Sequence, residues 1–432
     1  MSRSFANYIT ACSEAVKDSN IPKIFRSWTA ISAIAGALGR RVWYDFGAFQ
    51  VRPNLYIVLI AGPGRGKSLS LILPIDKIFN TLTSEPGIAD HSGNLNLVTY
   101  GIEDRPLYLI RDRITPEKLS RVMVNCERQD LVLSKMNNEF KESSITLVTS
   151  EFGTLVNRAD QYLQMFLTGL WDSPDEYTYR TKNQGDDLLK GPCLNWLACA
   201  TPEQFVTHLP ENARSQGLLS RIIPVLYDGD RGKQSLWYGK PSYGKIDALR
   251  EDLAKISKMT GEFRFHDSIR DKADTEVAEG IPPTPNNPNL SEYLERRVVQ
   301  FVKTAMCISA AKSDKKIITA EDWAEAKELM FETEKKMPEA LAHFGVGKAG
   351  RLAVDMQEFL EYITTTQSRF GIPLSKFRQE ALRKVSTPNE VEQMVKAMED
   401  SGLISIEGGV VIPNVKKKKK DDKKKDPPVR VG

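Results

Sequence analysis

The feature that most constrains this chain is a continuous apolar run at 54–60 (NLYIVLI) that leads directly into a glycine-rich loop at 61–68 (AGPGRGKS). An apolar run without polar alternation is typical of a strand that is buried on both faces of a parallel sheet. A helix is predicted after the loop, over 66–82. A buried strand, a glycine-rich loop and a helix in this order predict an α/β fold with a phosphate-binding loop.

The loop fits the pattern G-x-x-x-x-G-K-[ST], with Ala61 in place of the first glycine. Its glycines allow the backbone to curl so that its N–H groups point inward at phosphates. In this pattern Lys67 reaches the β- and γ-phosphates and the Ser68 hydroxyl binds Mg²⁺. The alternative, a chance glycine-rich turn, does not explain the flanking strand and helix. The predicted cofactors are ATP and Mg²⁺. The predicted nucleotide-binding residues are Gly62, Pro63, Gly64, Arg65, Gly66, Lys67, Ser68 and Leu69.

A second apolar run, 145–149 (ITLVT), predicts another buried strand and is followed by Ser150 and Glu151. An acid beside the γ-phosphate can polarise the attacking water, so Glu151 is the predicted catalytic base and a predicted metal-site residue. Many such proteins carry Asp where this chain has Ser150. Mg²⁺ would then depend on Ser68, the phosphates and water. The alternative for Glu151 is a surface glutamate after a core strand.

Two further residues, Thr201 and Arg221, are predicted to act in catalysis. Thr201 follows a third buried run, 194–200 (LNWLACA), where a polar side chain can hydrogen-bond the γ-phosphate or its water. The alternative role for Thr201 is the N-cap of a helix that begins at Pro202. Arg221 precedes a fourth predicted strand and is a candidate to reach the nucleotide of a neighbouring subunit. Arg214 is a second candidate, and a surface salt bridge is the alternative for both.

The composition of the 432-residue chain, 41% hydrophobic and 27% charged, is that of an ordinary globular protein. No apolar run approaches the roughly 20 residues of a membrane-spanning helix, and the N-terminus lacks a signal-peptide pattern. We therefore expect a cytoplasmic protein. The five cysteines and four histidines show no metal-ligand spacing, and the cysteines are interpreted as buried apolar side chains.

The basic charge of the chain is concentrated at its C-terminal end. Residues 416–432 carry eight Lys and one Arg against three Asp, a net +6, so the rest of the chain carries −2 of the formal net charge of +4. A near-neutral body is not by itself typical of a nucleic-acid-binding protein. The lysine run is expected to attract DNA without sequence preference, or to act only as a solubilising appendage.

Helices separate the predicted strands, which indicates a parallel sheet with helices on both faces. Further helices are predicted over 5–18, 22–38, 159–170 and 291–311, and after the capping residues Thr115 and Thr319. Helices beginning near 373 and 389, followed by strands at 403–406 and 410–412, predict a winged helix. The predicted divisions are an N-terminal helical region (1–53), an ATPase core (54–228), an irregular linker region (229–290), an all-helical region (291–345), a winged-helix domain (351–413) and a disordered basic tail (414–432).

These motifs together resemble a family of phage and prophage P-loop ATPases associated with helicases and primases, and more remotely the hexameric AAA+ replicative helicases. The resemblance covers roughly residues 20–340. It implies an AAA+ (ASCE-type) core, a ring that usually has six subunits, ATP at the subunit interfaces, and DNA threaded through the centre. It is carried by FRSWTAISAIAGALGRRVW (25–43), AGPGRGKS (61–68), ITPEKL (114–119), TLVTSEFGTLV (146–156), the run from LWDSPDEYTYRTK to LACATPEQF (170–205) and GLLSRIIP (217–224), with the lid at 296–311 and 318–330.

Alternating residues at 176–190 predict a β-hairpin, and in the helicases that the chain resembles a hairpin at this place lines the pore. The predicted DNA contacts are Arg180, Lys182 and Lys190 on phosphates and Tyr177 and Tyr179 stacked on bases. The alternative is an ordinary exposed hairpin, because two aspartates at its second strand partly cancel the positive charge.

The sequence therefore predicts an ATP-dependent DNA helicase or translocase, a hexameric phage-type replicative motor on single-stranded DNA. Its expected partners are single-stranded DNA, copies of itself and other replication proteins, without a membrane. The first alternative is a loader or remodelling ATPase that acts on a protein partner, which the acidic last helix of the predicted winged helix favours. The second alternative is a nucleotide switch that controls the initiation of replication.

Overall fold

The computed structural model describes residues 3–83, 107–129, 140–156, 161–181, 185–209, 217–230, 243–287, 290–341, 372–381, 388–400 and 403–413. The chain divides into two compact units, Met1–Phe344 and Gly345–Gly432.

The strands of the first unit are β1 (Val42–Asp45), β2 (Gln50–Val51), β3 (Tyr56–Ala61), β4 (Leu109–Arg111), β5 (Arg128–Gln129), β6 (Lys141–Thr149), β7 (Glu176–Thr181), β8 (Gly185–Lys190), β9 (Pro192–Ala200), β10 (Ile222–Tyr227), β11 (Gly261–Phe265) and β12 (Ile317–Ile318). Its helices are α1 (Tyr8–Ala15), α2 (Lys23–Leu38), α3 (Lys67–Leu71), α4 (Pro116–Asn125), α5 (Phe152–Leu155), α6 (Gln161–Trp171), α7 (Pro202–His208), α8 (Tyr243–Ser257), α9 (Asp267–Ala278), α10 (Ser291–Lys312), α11 (Ala320–Glu334) and α12 (Met337–Ala340).

The centre of the first unit is a sheet of five parallel strands in the order β10-β3-β9-β6-β4, with β5 added antiparallel to β6. Every residue of β3 and β9 is buried, which confirms the prediction of strands covered on both faces. Because β9 lies between β3 and β6, the residues that follow these three strands meet at one edge of the sheet. Polar residues there can converge on a shared ligand.

The helix predicted after the loop is present but changes its hydrogen-bonding pattern. The α-helical part, α3, ends at Leu71, a π-helical segment runs over Ile72–Ile78, and a 3₁₀ turn follows over Phe79–Leu82. Pro74 lies inside the π-helical segment and has no N–H to donate to the preceding turn. A change of helix type at a proline is the expected response to that missing hydrogen bond. The loop predicted at 84–106 lies outside the described residues.

The prediction of an irregular region over 229–290 is wrong for residues 243–278. This stretch forms α8, β11 and α9. The buried side chains Ile246, Leu249, Leu253 and Ile256 of α8 recur at helical spacing, so the periodic signal exists in the sequence. The strand β11 pairs in parallel with β1 and β12, in a mixed second sheet of order β12-β11-β1-β2. Its sequence (GEFRF) carries little apolar signal because only Phe263 is buried.

The proline-rich segment that follows α9 is held against the body instead of forming a free linker. The guanidinium of Arg297, on α10, donates hydrogen bonds to the carbonyl oxygens of Ile281 at 2.7 Å and Pro283 at 3.0 Å. The same guanidinium forms a buried salt bridge with Glu334, with Nε–Oε1 at 2.6 Å. The segment over 280–283 is therefore part of the folded unit.

The second unit contains β13 (Ile372–Pro373), α13 (Leu374–Ala381), α14 (Pro388–Asp400), β14 (Ile404–Glu407) and β15 (Val410–Pro413). The strands form an antiparallel sheet in the order β13-β15-β14. Two helices and a hairpin are as predicted, while residues 351–371 of the predicted winged-helix domain and the basic tail lie outside the described residues. Its small core contains Ile372, Phe377, Val391, Val395, Met398, Ile404 and Val411.

Within the parts of the chain that the structure describes, no helix combines the length and the apolar composition that a membrane crossing needs.

Candidate nucleotide-binding site

The glycine-rich loop leaves β3 at Ala61 and enters α3 at Lys67. Gly64 and Gly66 have φ angles of 71° and 81°, in the left-handed region that favours glycine. Gly66 is the N-cap residue of α3. Gly62 has an ordinary backbone conformation, so its place in the loop does not follow from a left-handed φ. Two of the three glycines in the motif are therefore explained by the path of the backbone.

Lys67 occupies the position that the sequence analysis assigns to it. Its ammonium donates hydrogen bonds to the carbonyl oxygens of Ala61 at 2.5 Å and Gly62 at 2.9 Å, within its own loop. Partial burial lowers the pKa of Lys67 from its ordinary value. Two carbonyl oxygens are weaker partners for an ammonium than a phosphate anion, because the phosphate adds the attraction between two opposite full charges. The side chain is thus available to a phosphate.

One cavity of about 840 Å³ brings the main predicted residues together. Lys67 and Ser68 from the loop, Glu151 from the end of β6 and Thr201 from the end of β9 all line it. The Ser68 hydroxyl is exposed and donates no hydrogen bond to a described residue. The remaining motif residues Gly64, Arg65, Gly66 and Leu69 line a smaller adjoining space of about 270 Å³ beside Asn20. Pro63 lines the larger cavity.

Glu151 is presented by a rigid turn. It directly precedes α5, and its backbone carbonyl accepts hydrogen bonds from the Thr154 N–H at 3.0 Å and the Thr154 hydroxyl at 2.7 Å. Its side chain is exposed, and its carboxylate forms no hydrogen bond with the residues that the structure describes. The next residue, Phe152, stacks on Trp196 with ring centroids 5.5 Å apart and packs edge-on against Phe205 at 5.3 Å. These contacts fix the backbone at the end of β6, so the carboxylate of Glu151 projects from a fixed point into the cavity.

Thr201 caps α7, which was the alternative in the sequence analysis. Its Oγ1 accepts a hydrogen bond from the Gln204 N–H at 3.1 Å, and the Gln204 side chain accepts one from the Thr201 N–H at 3.2 Å. A threonine hydroxyl that accepts in this way still has its own O–H to donate. The sensor role stays a prediction, and it is compatible with the cap.

Asp112 is a residue of this cavity that sequence reasoning missed. It directly follows β4, lines the cavity with Lys67, and accepts a hydrogen bond from the Ser150 hydroxyl at 2.6 Å. Its φ of 61° lies in the left-handed region, which aspartate tolerates better than most residues. The signal in the sequence is an acid two residues after a short apolar run at 107–110, with Arg111 between them, but so short a run does not identify the strand as a neighbour of β6.

Arg221 does not line this cavity. It precedes β10, whose first residue pairs with Tyr56 at the start of β3, so it lies at the opposite edge of the sheet from the loop. Its Nη2 donates to Asp172 at 2.8 Å, its Nη1 donates to the Gly217 carbonyl at 2.9 Å, and its side chain is 9% exposed. A role towards a neighbouring subunit stays a prediction. Arg214 lies outside the described residues.

The hairpin predicted at 176–190 is present as β7 and β8, which pair from Glu176 opposite Lys190 to Thr181 opposite Gly185. The ring centroids of Tyr177 and Tyr179 lie 5.5 Å and 4.9 Å from that of Phe166, on α6. The ring faces that would stack on bases are thus partly covered by the chain itself.

The basic residues of the hairpin differ in their exposure. The Arg180 side chain is 78% exposed and its Nε lies 3.5 Å from Asp186. Lys190 is half-buried, and Lys182 lies outside the described residues. DNA contact by any of these residues stays a prediction.

The oxygen atoms around the cavity suit Mg²⁺, which prefers oxygen ligands and is commonly held by one or two carboxylates together with phosphates and waters. They come from the Ser68 hydroxyl and the carboxylates of Glu151 and Asp112. Across the described ranges, no group of three or more His, Cys, Asp or Glu side chains is placed to hold a metal ion. A bound Mg²⁺ would therefore need phosphate and water ligands as well. All five cysteines are buried and free, as the interpretation of apolar side chains requires.

The helices α10 and α11, predicted to form a lid, contribute no residue to the described lining of this cavity. The covering role stays a prediction.

Compared with models of known protein families the chain matches none, and a search of curated proteins returns no significant match.

Proposed function

We propose that this protein is an ATP hydrolase of the P-loop class, an AAA+ (ASCE-type) motor with a helical lid and a C-terminal winged helix. The observation that carries the proposal is the cavity in which the Lys67 ammonium, the Ser68 hydroxyl, the Glu151 carboxylate and the Thr201 hydroxyl meet. They reach it from a glycine-rich loop and from the ends of two parallel strands. This is the set of groups that the hydrolysis of a nucleoside triphosphate requires.

The roles follow from the chemistry of each group. Lys67 leaves its carbonyl partners and neutralises charge on the β- and γ-phosphates. The carboxylate of Glu151, which has no hydrogen-bond partner among the described residues, accepts a proton from the attacking water. The Thr201 O–H donates to that water or to a γ-phosphate oxygen while its oxygen caps α7. Mg²⁺, when bound, neutralises phosphate charge, and Ser68 and the nearby carboxylates would hold it.

The arrangement of the sheet supports the ASCE-type assignment. The strand β9 lies between the loop-bearing strand β3 and the acid-bearing strand β6. A polar residue that follows β9 is therefore flanked by the phosphate loop on one side and by Glu151 on the other. In the helicases that the chain resembles, this position carries the sensor.

We further propose that the motor acts on DNA, as a hexameric phage-type replicative helicase that moves along single-stranded DNA in the host cytoplasm. The hairpin β7–β8 with its exposed Arg180 supports this step. Single-stranded DNA is held by positive charge along its backbone and by stacked aromatic rings. The charge is available on the hairpin, whereas the two tyrosine rings are engaged with Phe166.

A loader or remodelling ATPase that acts on a protein partner is the second candidate, and two observations favour it. The tyrosine rings of the hairpin pack within the chain. In the second unit, Arg378 of α13 forms a salt bridge with Glu392 of α14 at 2.8 Å, which offsets one positive charge that α13 could otherwise offer to DNA phosphates. A basic residue that is paired within the chain contributes less to phosphate contacts, so this salt bridge favours a protein partner over duplex DNA.

The test is steady-state ATP hydrolysis by wild type and by the Lys67→Ala and Glu151→Gln variants, with and without single-stranded DNA, at low and moderate salt. Removal of a catalytic base is expected to slow hydrolysis by about 10²–10⁴-fold. Stimulation of the wild type by DNA that weakens with salt supports the helicase. Hydrolysis that ignores DNA at every salt concentration contradicts the helicase and favours the remodelling ATPase. Binding of ATP without turnover would leave the nucleotide switch.

A further inference from the structure

The chain departs from its expected pattern at Ser150, where the acid on the metal side of such a site is usually found. The structure brings a carboxylate to this point from the neighbouring strand. The Ser150 hydroxyl donates to Asp112 Oδ1 at 2.6 Å, and the Ser150 N–H lies 3.4 Å from the same oxygen. The Asp112 N–H donates to the Val148 carbonyl at 2.8 Å. Asp112 is thus tied to the end of β6 by its backbone and its side chain.

The parallel register explains why these residues meet. β4 and β6 are neighbours, with Ile110 opposite Leu147 and Arg111 opposite Val148. The first residue after β4 is therefore level with the last residues of β6. The left-handed φ of 61° at Asp112 ends the strand at this point, where the residue lines the same cavity as Lys67 and Ser68.

Beyond its contact with Ser150, the carboxylate of Asp112 makes no hydrogen bond or salt bridge with a residue that the structure describes. The N-cap of the following helix is Thr115, whose hydroxyl accepts from the Lys118 N–H. The adjacent cation, Arg111, forms its salt bridge with Asp76. Both hydrogen bonds that Asp112 accepts from described residues go to Oδ1. Two carboxylates, Asp112 and Glu151, thus line one cavity with the Ser68 hydroxyl, and oxygen groups of this kind favour a divalent cation there.

We propose that Asp112, positioned by Ser150, is the carboxylate on the Mg²⁺ side of the nucleotide site. Asp112 and Ser150, which follow two neighbouring strands, together provide the carboxylate that a single acid at position 150 provides in other sites of this type. Ser150 acts as a positioning residue that fixes the side chain of Asp112. The inference rests on the proposed function, because it assumes that the cavity binds a nucleotide together with Mg²⁺.

The experiment measures the affinity of a fluorescent ADP analogue as a function of Mg²⁺ concentration, with EDTA as the zero point, and so does not depend on hydrolysis. Asp112→Asn is expected to raise the Mg²⁺ concentration at half-effect by at least about tenfold. Ser150→Ala keeps the Asp112 carboxylate but removes the hydroxyl that positions it. We expect this variant to raise the Mg²⁺ concentration at half-effect by less than Asp112→Asn does. The matched control is Glu117→Gln, because Glu117 lines the same cavity and its carboxylate accepts a hydrogen bond from Tyr179 at 3.3 Å.

The decisive variant is the double substitution Asp112→Asn with Ser150→Asp, which moves the carboxylate to the other strand. Recovery of most of the Mg²⁺ dependence supports the proposal. If Asp112→Asn and the Glu117→Gln control show the same Mg²⁺ dependence, the inference is overturned. The proposed nucleotide site still stands in that case if the wild type binds the analogue and Lys67→Ala does not. Wild type that fails to bind the analogue overturns both. Thermal unfolding of each variant separates a local effect from loss of the fold.

Discussion

Gly66 joins the phosphate loop to the N-terminal segment, and this contact allows a sharp test of the site. A Cβ atom at position 66 would lie 2.9 Å from the Asn20 carbonyl oxygen and 3.3 Å from Ile21 Cα and Pro22 Cδ. Asn20 contributes a backbone atom to this contact, so no side-chain rotation relieves it. Gly66→Ala therefore forces the loop or the segment at 20–22 to move.

Gly47 provides a matched control. Its φ is 85° against 81° for Gly66, but nothing lies within 4 Å of a Cβ built on it. Alanine at either position is expected to cost about 1–2 kcal/mol of stability, because both must hold an L-residue in the left-handed region. Only the variant at Gly66 also has a steric conflict at the loop.

The extra effect of Gly66→Ala is expected in nucleotide affinity. A displaced loop would misalign the backbone N–H groups that contact phosphates in the proposed nucleotide complex, and each hydrogen bond to a charged group is worth about 1.5–3 kcal/mol. Loss of one such bond corresponds to a decrease in affinity of about 10–150-fold. Urea unfolding and isothermal titration with ADP and Mg²⁺ measure the two quantities. If Gly47→Ala and Gly66→Ala bind nucleotide equally well, the contact with Asn20 does not set the loop geometry and the reasoning is refuted.

Two further predictions concern the buried charges of the first unit. Glu334→Gln leaves Arg297 buried without its counter-ion, so it should lower the free energy of unfolding, measured in urea, by about 3–5 kcal/mol. The double variant Arg297→Met with Glu334→Met removes both charges and should therefore lose less stability than the sum of the losses of the Arg297→Met and Glu334→Met single variants. Burial lowers the pKa of Lys303 to about 7, whereas the same lysine in the unfolded chain has its ordinary pKa of about 10.4. Between these two pH values the folded protein holds Lys303 neutral, so unfolding takes up a proton. The wild-type free energy of unfolding should therefore rise relative to Lys303→Met by up to about 1.4 kcal/mol per pH unit between pH 7 and pH 10, and a pH-independent difference would contradict the assignment.

Elements whose signal is local could be predicted from the sequence. The strands β3, β6 and β9 are buried on both faces, so their burial appears directly as apolar runs. The caps at Thr115 and Thr319 were predicted because a side-chain oxygen and the N–H three residues later lie in one short segment. The positions of the glycine-rich loop after β3 and of Glu151 near the end of β6 also follow from local sequence, whereas their roles stay predictions.

Features that depend on distant parts of the chain could not be predicted. The strand β11 has one buried side chain and exists because β1, more than 200 residues earlier, offers it a parallel edge. The contact between Ser150 and Asp112 depends on the neighbouring positions of β4 and β6 in the sheet. Tyr177 and Tyr179 share one face of a strand by alternation, but only the packing of α6 decides that this face points inward.

The two edges of the parallel sheet differ in how their polar groups are used. At the edge opposite the loop, Lys303 of α10 is buried and donates to the Asn54 carbonyl at 3.1 Å and the Trp171 carbonyl at 3.3 Å. Gln300 of the same helix donates to the Ser220 carbonyl at 2.8 Å. These buried hydrogen bonds tie α10 to the segments that enter β3 and β10, because an unpaired buried lysine or amide would be costly.

At the loop edge, by contrast, the hydroxyl of Ser68 and the carboxylate of Glu151 form no hydrogen bond with the residues that the structure describes, and Lys67 is paired only with carbonyls of its own loop. Polar groups left unpaired in a cavity cost little while water fills it and gain most when a charged ligand replaces that water. A sheet fixed at one edge by α10 keeps these groups in place at the other edge. If the cavity binds a nucleotide as proposed, α10 would contribute to that binding by holding the strands, even without covering the ligand.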